Sequence, residues 1–264
     1  MRIKIYLIGL VVFLVCVAGY IIHDRLKPQK IRVKNVPLYC VMITGYHKER
    51  EPFARVSVLN FFQQTYANKH LIILNQSEKA LIDTEHDNVL ELFVDTMVLG
   101  KLRNIALEFI PPNAIWTTWD DDDYRHPTYL QTFANHFLIH DKVDFLMFQN
   151  RLEYNLKTKF SFKMTLKSGF MTFFSKRINN LKYDEISSME DVVVKKTALK
   201  KYNCVVINND PTLYLRFTHN SNTSKYVNQN KTSVTDTRNN RDYFETELNS
   251  KERKYITKIL SNYY

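Results

Sequence analysis

A chain of 264 residues with 45 % hydrophobic and 13 % aromatic side chains is too apolar for disorder and long enough to bury a sizeable core. Its net charge of +10 is unevenly placed: residues 1–36 carry seven Lys/Arg and one acid, so +6 lies there and +4 in the rest. A nucleic-acid partner, which requires a basic stripe in the folded body, is therefore not expected.

Residues 5–22 form an 18-residue run without a charged side chain, between Arg2 and Lys4 on one side and His23-Asp24-Arg25 on the other. That is long enough to span hydrocarbon. It also exceeds the roughly 7–15 apolar residues of a cleavable signal peptide. The expectation is an uncleaved signal-anchor, preceded by a short flank (residues 1–4) and followed by a basic linker (residues 23–36). Arg25, Lys27, Lys30, Arg32 and Lys34 in that linker suit anionic headgroups. Comparing the charges on the two sides favours a cytosolic body. Sequons at Asn75, Asn222 and Asn230 would permit glycosylation of a lumenal one. Cys16 lies in the anchor, while Cys40 and Cys204 sit in apolar runs and read as two buried thiols.

The body, residues 37–264, alternates strand and helix patterns. Strands are expected at 38–44, 71–74, 89–94 and 115–119, with helices at 51–64, 102–109 and 127–138. A strand-rich middle follows (143–149, 160–165, 170–174), then a helix at 192–200 and strands at 205–207 and 213–217. Residues 220–242 are polar and read as a mobile loop. Apolar spacings from residue 243 to 263 predict a closing amphipathic helix. Such alternation argues for a mostly parallel sheet covered on both faces, with ligands bound beyond the carboxyl ends of its strands.

One stretch sits where that rule places a site: Trp119-Asp120-Asp121-Asp122-Asp123-Tyr124. Neighbouring carboxylates repel by ~1 kcal/mol per pair at 4 Å even in water, and more in a lower dielectric. A compensating cation is therefore expected, most simply Mg²⁺ or Mn²⁺, which takes oxygen ligands. An acidic loop capping the next helix is the plain alternative. Of the five glycines only Gly45, Gly100 and Gly169 lie in the body, so no glycine-rich phosphate loop is present. Ser187 and Glu190 fit a capping box ahead of the helix at 192–200, and Asp191 would then complement its dipole.

The order of these pieces resembles family 2 glycosyltransferases of the GT-A fold. PLYCVMITGYHKER is similar to the first strand and donor-side loop, FFQQTYANKHLIIL to the second strand, and GKLRNIAL to a helix whose Arg-Asn pair matches Arg103 and Asn104. WTTWDDDDYRHPTYL resembles the family's metal site, MEDVVVKK its acceptor-side Glu-Asp pair, and LRFTHNSNTS a late segment whose His touches the metal. The resemblance implies an α/β, Rossmann-like GT-A domain behind a single N-terminal transmembrane helix. It implies an inverting, metal-dependent transfer of a hexosyl or related group from a nucleoside diphosphate sugar to a saccharide, lipid or protein acceptor. Thr44, Tyr46, Asn75, Arg103, Asn104, Asp120 and Asp121 would contact the donor. Asp122, Asp123 and His219 would hold Mn²⁺ or Mg²⁺. Asp191, or else Glu190, would act as catalytic base. The chain departs from the pattern at Asn75-Gln76, where an acidic pair is usual, and at Thr44-Gly45-Tyr46-His47. Two other functions fit the same residues: a metal-dependent nuclease or nucleotidyltransferase, and a non-catalytic membrane-tethered sugar-binding module.

Overall fold

The computed structural model describes residues 35–261 apart from 113, 141, 171, 220–221, 223–234, 237–240 and 247, with backbone alone for 235–236 and 241–246. The expected anchor at 5–22 and most of the basic linker lie outside the described residues, as does most of the loop expected at 220–242. Among the described residues no helix is long and apolar enough to cross a membrane.

A seven-stranded sheet forms the centre. Its strands are β1 (Leu38–Thr44), β2 (Lys69–Asn75), β3 (Val89–Phe93), β4 (Ile115–Thr118), β6 (Phe145–Phe148), β9 (Phe173–Lys176) and β10 (Cys204–Ile207). The order is β10-β6-β9-β4-β1-β2-β3, and β9 alone runs antiparallel to its neighbours. Strands buried on both faces read as continuous apolar runs, and β1 shows why. Cys40 and Met42 point into one core with Ala54, Phe61 and Phe133, while Val41 points into the other with Leu102, Ala106, Trp116 and Ala198. The first core is closed by α1 (Glu51–Phe62) and α3 (Tyr129–Ile139), the second by α2 (Leu99–Glu108) and α4 (Glu190–Lys201). Cys40 is buried and Cys204 half-buried, both as free thiols.

A second sheet of six strands has the order β12-β13-β8-β7-β11-β5. It is built from β5 (Tyr124–Arg125), β7 (Asn150–Asn155), β8 (Ser161–Leu166), β11 (Tyr214–Thr218), β12 (Thr235–Asp236) and β13 (Arg241–Thr246). Helix α5 (Ser250–Leu260) packs Ile256 and Ile259 against Leu152, Leu215 and Phe217 of this sheet.

Three expectations need correction. The closing helix begins at Ser250 rather than 243, because Asn249 and Glu252 form a reciprocal capping box there, and residues 243–246 pair antiparallel with β8 instead. Strand β7 is not evident from its sequence, since Asn150, Arg151 and Glu153 look unfit for a strand interior. The ion pair of Arg151 with Glu153 and the nearby Arg216 offset those charges. Finally, Ser187 and Glu190 do not form a capping box. Helix α4 starts at Glu190, and Met189 occupies the cap position at φ 66° with no side-chain hydrogen bond.

Gly100 fixes how α2 meets the segment before α4. Its N–H donates to Ile186 O (3.0 Å), and a Cβ there would lie 1.8 Å from Asp184 O. Gly100→Ala should therefore cost about 1–3 kcal/mol, the usual range for overpacking. A denaturant midpoint that does not fall would refute this.

Candidate active site

Parallel neighbours β4, β1 and β2 end at Thr118, Thr44 and Asn75, on one edge of the central sheet. After β1 the chain turns sharply at Gly45 (φ 91°), where a Cβ would come within 2.4 Å of Ser77 N. Only glycine meets both demands. The edge opens into a cavity of about 640 Å³, lined by Val41, Thr44, Tyr46, Arg50, Gln76, Met97, Lys101, Arg103, Trp119, Asp120 and Asp121 among others. That volume suits a nucleotide-sized ligand.

The four aspartates have four different environments. Asp120 is a third exposed, faces the cavity, and is approached by Tyr214 Oη (3.2 Å) and Arg125 (3.6 Å). Asp121 is buried and accepts from Thr44 Oγ1 (2.7 Å) and from Arg50. Burial pushes its pKa up to about 7, with Arg50 pulling the other way. Asp122, also buried, is shifted the other way from Asp121. Burial opposes its charge, but His219 and the Arg50 and Arg216 guanidiniums hold it below the ordinary carboxylate range. Its Oδ2 lies 3.1 Å from His219 Nε2, 2.9 Å from Asn222 Nδ2 and 2.9 Å from Arg50 Nη2. His219 is in turn stacked on Phe53, ring centroids 5.0 Å apart. Asp123 has both oxygens taken by the fold, one by the Tyr214 hydroxyl and one by Phe217 N–H (3.1 Å). Burial and then the Asp122 charge raise its pKa to about 8.

The mutual repulsion of these carboxylates is thus met in large part by the chain's own cations. Beneath them Arg125 is fully buried, its guanidinium 4.3 Å from the Trp119 ring centre and 5.0 Å from that of Tyr214. Arg50 reaches the cluster from the loop before α1, and Arg216 from β11. Arg125 was readable beside the motif; Arg50, Arg216, Tyr214 and Asn222 carry no local signal and reach it only through folding.

Of the residues expected on the donor side, Thr44, Tyr46, Arg103, Asp120 and Asp121 line the cavity. Tyr46 is 62 % exposed, at its mouth. Asn75 and Asn104 are engaged elsewhere. Buried Asn75 donates to Lys79 O (2.8 Å) and Glu91 Oε1 (2.7 Å) and accepts from Ser77 N–H (2.9 Å) and Ser77 Oγ (2.7 Å). It anchors the loop after β2, and the neighbouring Gln76 faces the cavity while accepting from Met97 N–H (3.0 Å). Asn104 donates to Tyr183 O (2.9 Å) and accepts from Tyr183 N–H (2.8 Å), tying α2 to the segment ahead of α4.

That segment carries the Glu-Asp pair. Buried Glu190 accepts from Arg103 Nε (2.9 Å), whose guanidinium lies over the Tyr183 ring at 5.4 Å. Asp191, half-buried, accepts backbone hydrogen bonds at the start of α4. Among the described residues no side chain pairs with it. Its pKa is raised, first by burial and then by the charge of Asp120, against the pull of Arg103. Preceding both is Met189, left-handed at φ 66°; strain of this kind collects at functional sites.

Fold and site together define a mixed α/β domain with a mostly parallel central sheet, a cavity at its carboxyl edge and an acidic motif on the cavity wall. Solved structures of S. aureus TarS share this architecture. With TarS residues 1–349 the TM-score is 0.52 at 14 % identity, covering 69 % of this chain and 60 % of that one. With a longer TarS chain it is 0.51 at 14 % identity, covering 69 % and 37 %. The chain thus spans less than two thirds of either neighbour, and at this identity the likeness is one of fold. No family model and no curated protein sequence matches it.

Proposed function

We propose that the protein is a glycosyltransferase that moves a sugar from a nucleoside diphosphate sugar to an acceptor hydroxyl of a saccharide, lipid or protein, with inversion. The observation that carries this reading is a cavity of about 640 Å³ lined by Asp120, Asp121, Arg50 and Arg103, with the next residue in the chain, Asp122, paired to His219.

The residues present fit a divalent cation. Adjacent ligands on an octahedral ion bound at ~2.1 Å lie ~3 Å apart, and Asp122 Oδ2 and His219 Nε2 are 3.1 Å apart. Among the described residues no group of three or more His, Cys, Asp or Glu gathers on one point. Mg²⁺ at nucleotide sites is usually held by one or two carboxylates, completed by phosphate oxygens and water, and Asp122 offers one such carboxylate. Mg²⁺ or Mn²⁺ bound there would neutralise charge on the diphosphate leaving group.

The chain's own residues account for the rest. Arg103, fixed by Glu190, offers the cavity a charged fork suited to phosphate oxygens. Asp191 takes the proton of the acceptor hydroxyl; that oxygen bonds to the anomeric carbon, and the diphosphate leaves from the opposite face with the bonding electrons. Glu190 is a positioning residue, since its carboxylate is committed to Arg103. The apolar run at residues 5–22 supports a membrane-anchored enzyme, and the charge comparison favours a cytosolic body.

Incubating the full chain with Mn²⁺, a panel of nucleotide sugars and mixed acceptors tests the reading. Nucleoside diphosphate should be released with one donor and should stop when EDTA is added. No release with any donor, together with no donor binding, would remove the proposal.

A further inference from the structure

Arg50 closes the short helical turn Lys48–Arg50 ahead of α1 and is largely buried in the cavity wall. Its Nη2 binds Asp121 Oδ1 and, at 2.9 Å, Asp122 Oδ2. The same Oδ2 has His219 Nε2 at 3.1 Å and Asn222 Nδ2 at 2.9 Å. Three nitrogen partners thus crowd one oxygen, and a carboxylate has about two lone-pair sites per oxygen. A dication can reach that oxygen only if a partner withdraws. The His219 imidazole can exchange its hydrogen bond for a ligand bond, and Asn222 is uncharged. Arg50 is positively charged at every accessible pH, so a dication repels it most.

We propose that Arg50 is a displaceable counter-ion. In the free protein it holds Asp121 and Asp122 together; when the cation and the diphosphate arrive it gives up Asp122 and turns onto the diphosphate. This rests on reading Asp122 and His219 as cation ligands and the cavity as a diphosphate site. Two features favour the exchange. Arg50 can keep Asp121 as a tether while its guanidinium turns away from Asp122. It also lines the cavity, where a planar fork matches two phosphate oxygens. Cation and diphosphate should accordingly bind together better than either alone, because the incoming phosphate charge is what Arg50 needs in exchange for Asp122.

The test uses the full chain in detergent, titrated calorimetrically with MnCl₂ alone and then with UDP, GDP, ADP and CDP at saturating Mn²⁺. In Arg50→Met, Mn²⁺ alone should bind about tenfold more tightly than to wild type, and the best nucleoside diphosphate about tenfold more weakly. Arg50→Lys keeps the charge but not the fork. Its affinity for Mn²⁺ alone should stay at the wild-type value while the nucleotide weakens, which keeps the test decisive if Arg50→Met does not fold. Unchanged or weaker binding of Mn²⁺ alone to folded Arg50→Met, or unchanged nucleotide affinity in both variants, overturns the Arg50 role and leaves the transferase reading standing. A wild type that binds neither Mn²⁺ nor any of the nucleotides overturns both.

Discussion

Asp191→Asn should lose about 10²–10⁴-fold in kcat, the usual range for general-base help, with little change in the KM for the donor. Asn keeps an oxygen to accept the backbone hydrogen bonds at the start of α4 but cannot take a proton. The stability of the same variant separates a chemical role from a structural one. Burial, more than any other cause, raises the pKa of Asp191 in the fold, so the folded chain prefers it protonated. A carboxyl shifted in that direction favours folding below its unfolded pKa, near ~3.9, and that contribution is lost as pH rises through the folded value. At neutral pH the variant should thus be at least as stable as wild type, with any gain shrinking as pH falls through the raised folded value and gone below ~3.9. The acid limb of wild-type kcat should lie above the ordinary carboxylate range for the same reason. A variant that loses activity only in step with a lower melting temperature would remove Asp191 as base.

Asp122→Ala carries the second large effect. The site holds the pKa of Asp122 below its ordinary value, and Arg50, His219 and Asn222 meet at that carboxylate. Removing it takes away the carboxylate paired with His219, while the contact of Arg50 with Asp121 stays. Metal-supported binding of the nucleotide should disappear in calorimetry, and turnover should fall by about 10³-fold or more, several kcal/mol of charge stabilisation. Folding should survive, because Asp123, the carboxylate held by Tyr214 and the β11 backbone, is untouched. Persistence of metal-dependent nucleotide binding in Asp122→Ala would show that the cation site lies elsewhere.

Much of the fold was readable because burial on both faces leaves a plain mark. The run LYCVMIT between Pro37 and Gly45 could be little but a central strand, and it is β1. The same logic failed at β7, where buried Glu153 is compensated by its neighbour Arg151 and, only after β11 pairs alongside, by Arg216. At the carboxyl end the apolar spacing suited a helix from 243 onward. The capping box of Asn249 and Glu252 was the local signal for the true start, and strand pairing with β8 claimed the residues before it.

The candidate site divides along the same line. Residue order alone placed four aspartates at the end of a buried strand and a Glu-Asp pair at the head of a later helix, because strand ends and helix starts are written in local apolar patterns and turn residues. Which aspartate stays charged, that Glu190 is spent on Arg103 while Asp191 is not, and that Asn75 is turned inward with Gln76 on the cavity, depend on burial and on partners such as Arg50, 71 residues from Asp121. Charge state is set by the solvent and neighbours a side chain keeps after folding, and those are properties of the assembled sheet edge rather than of the segment that carries the residue.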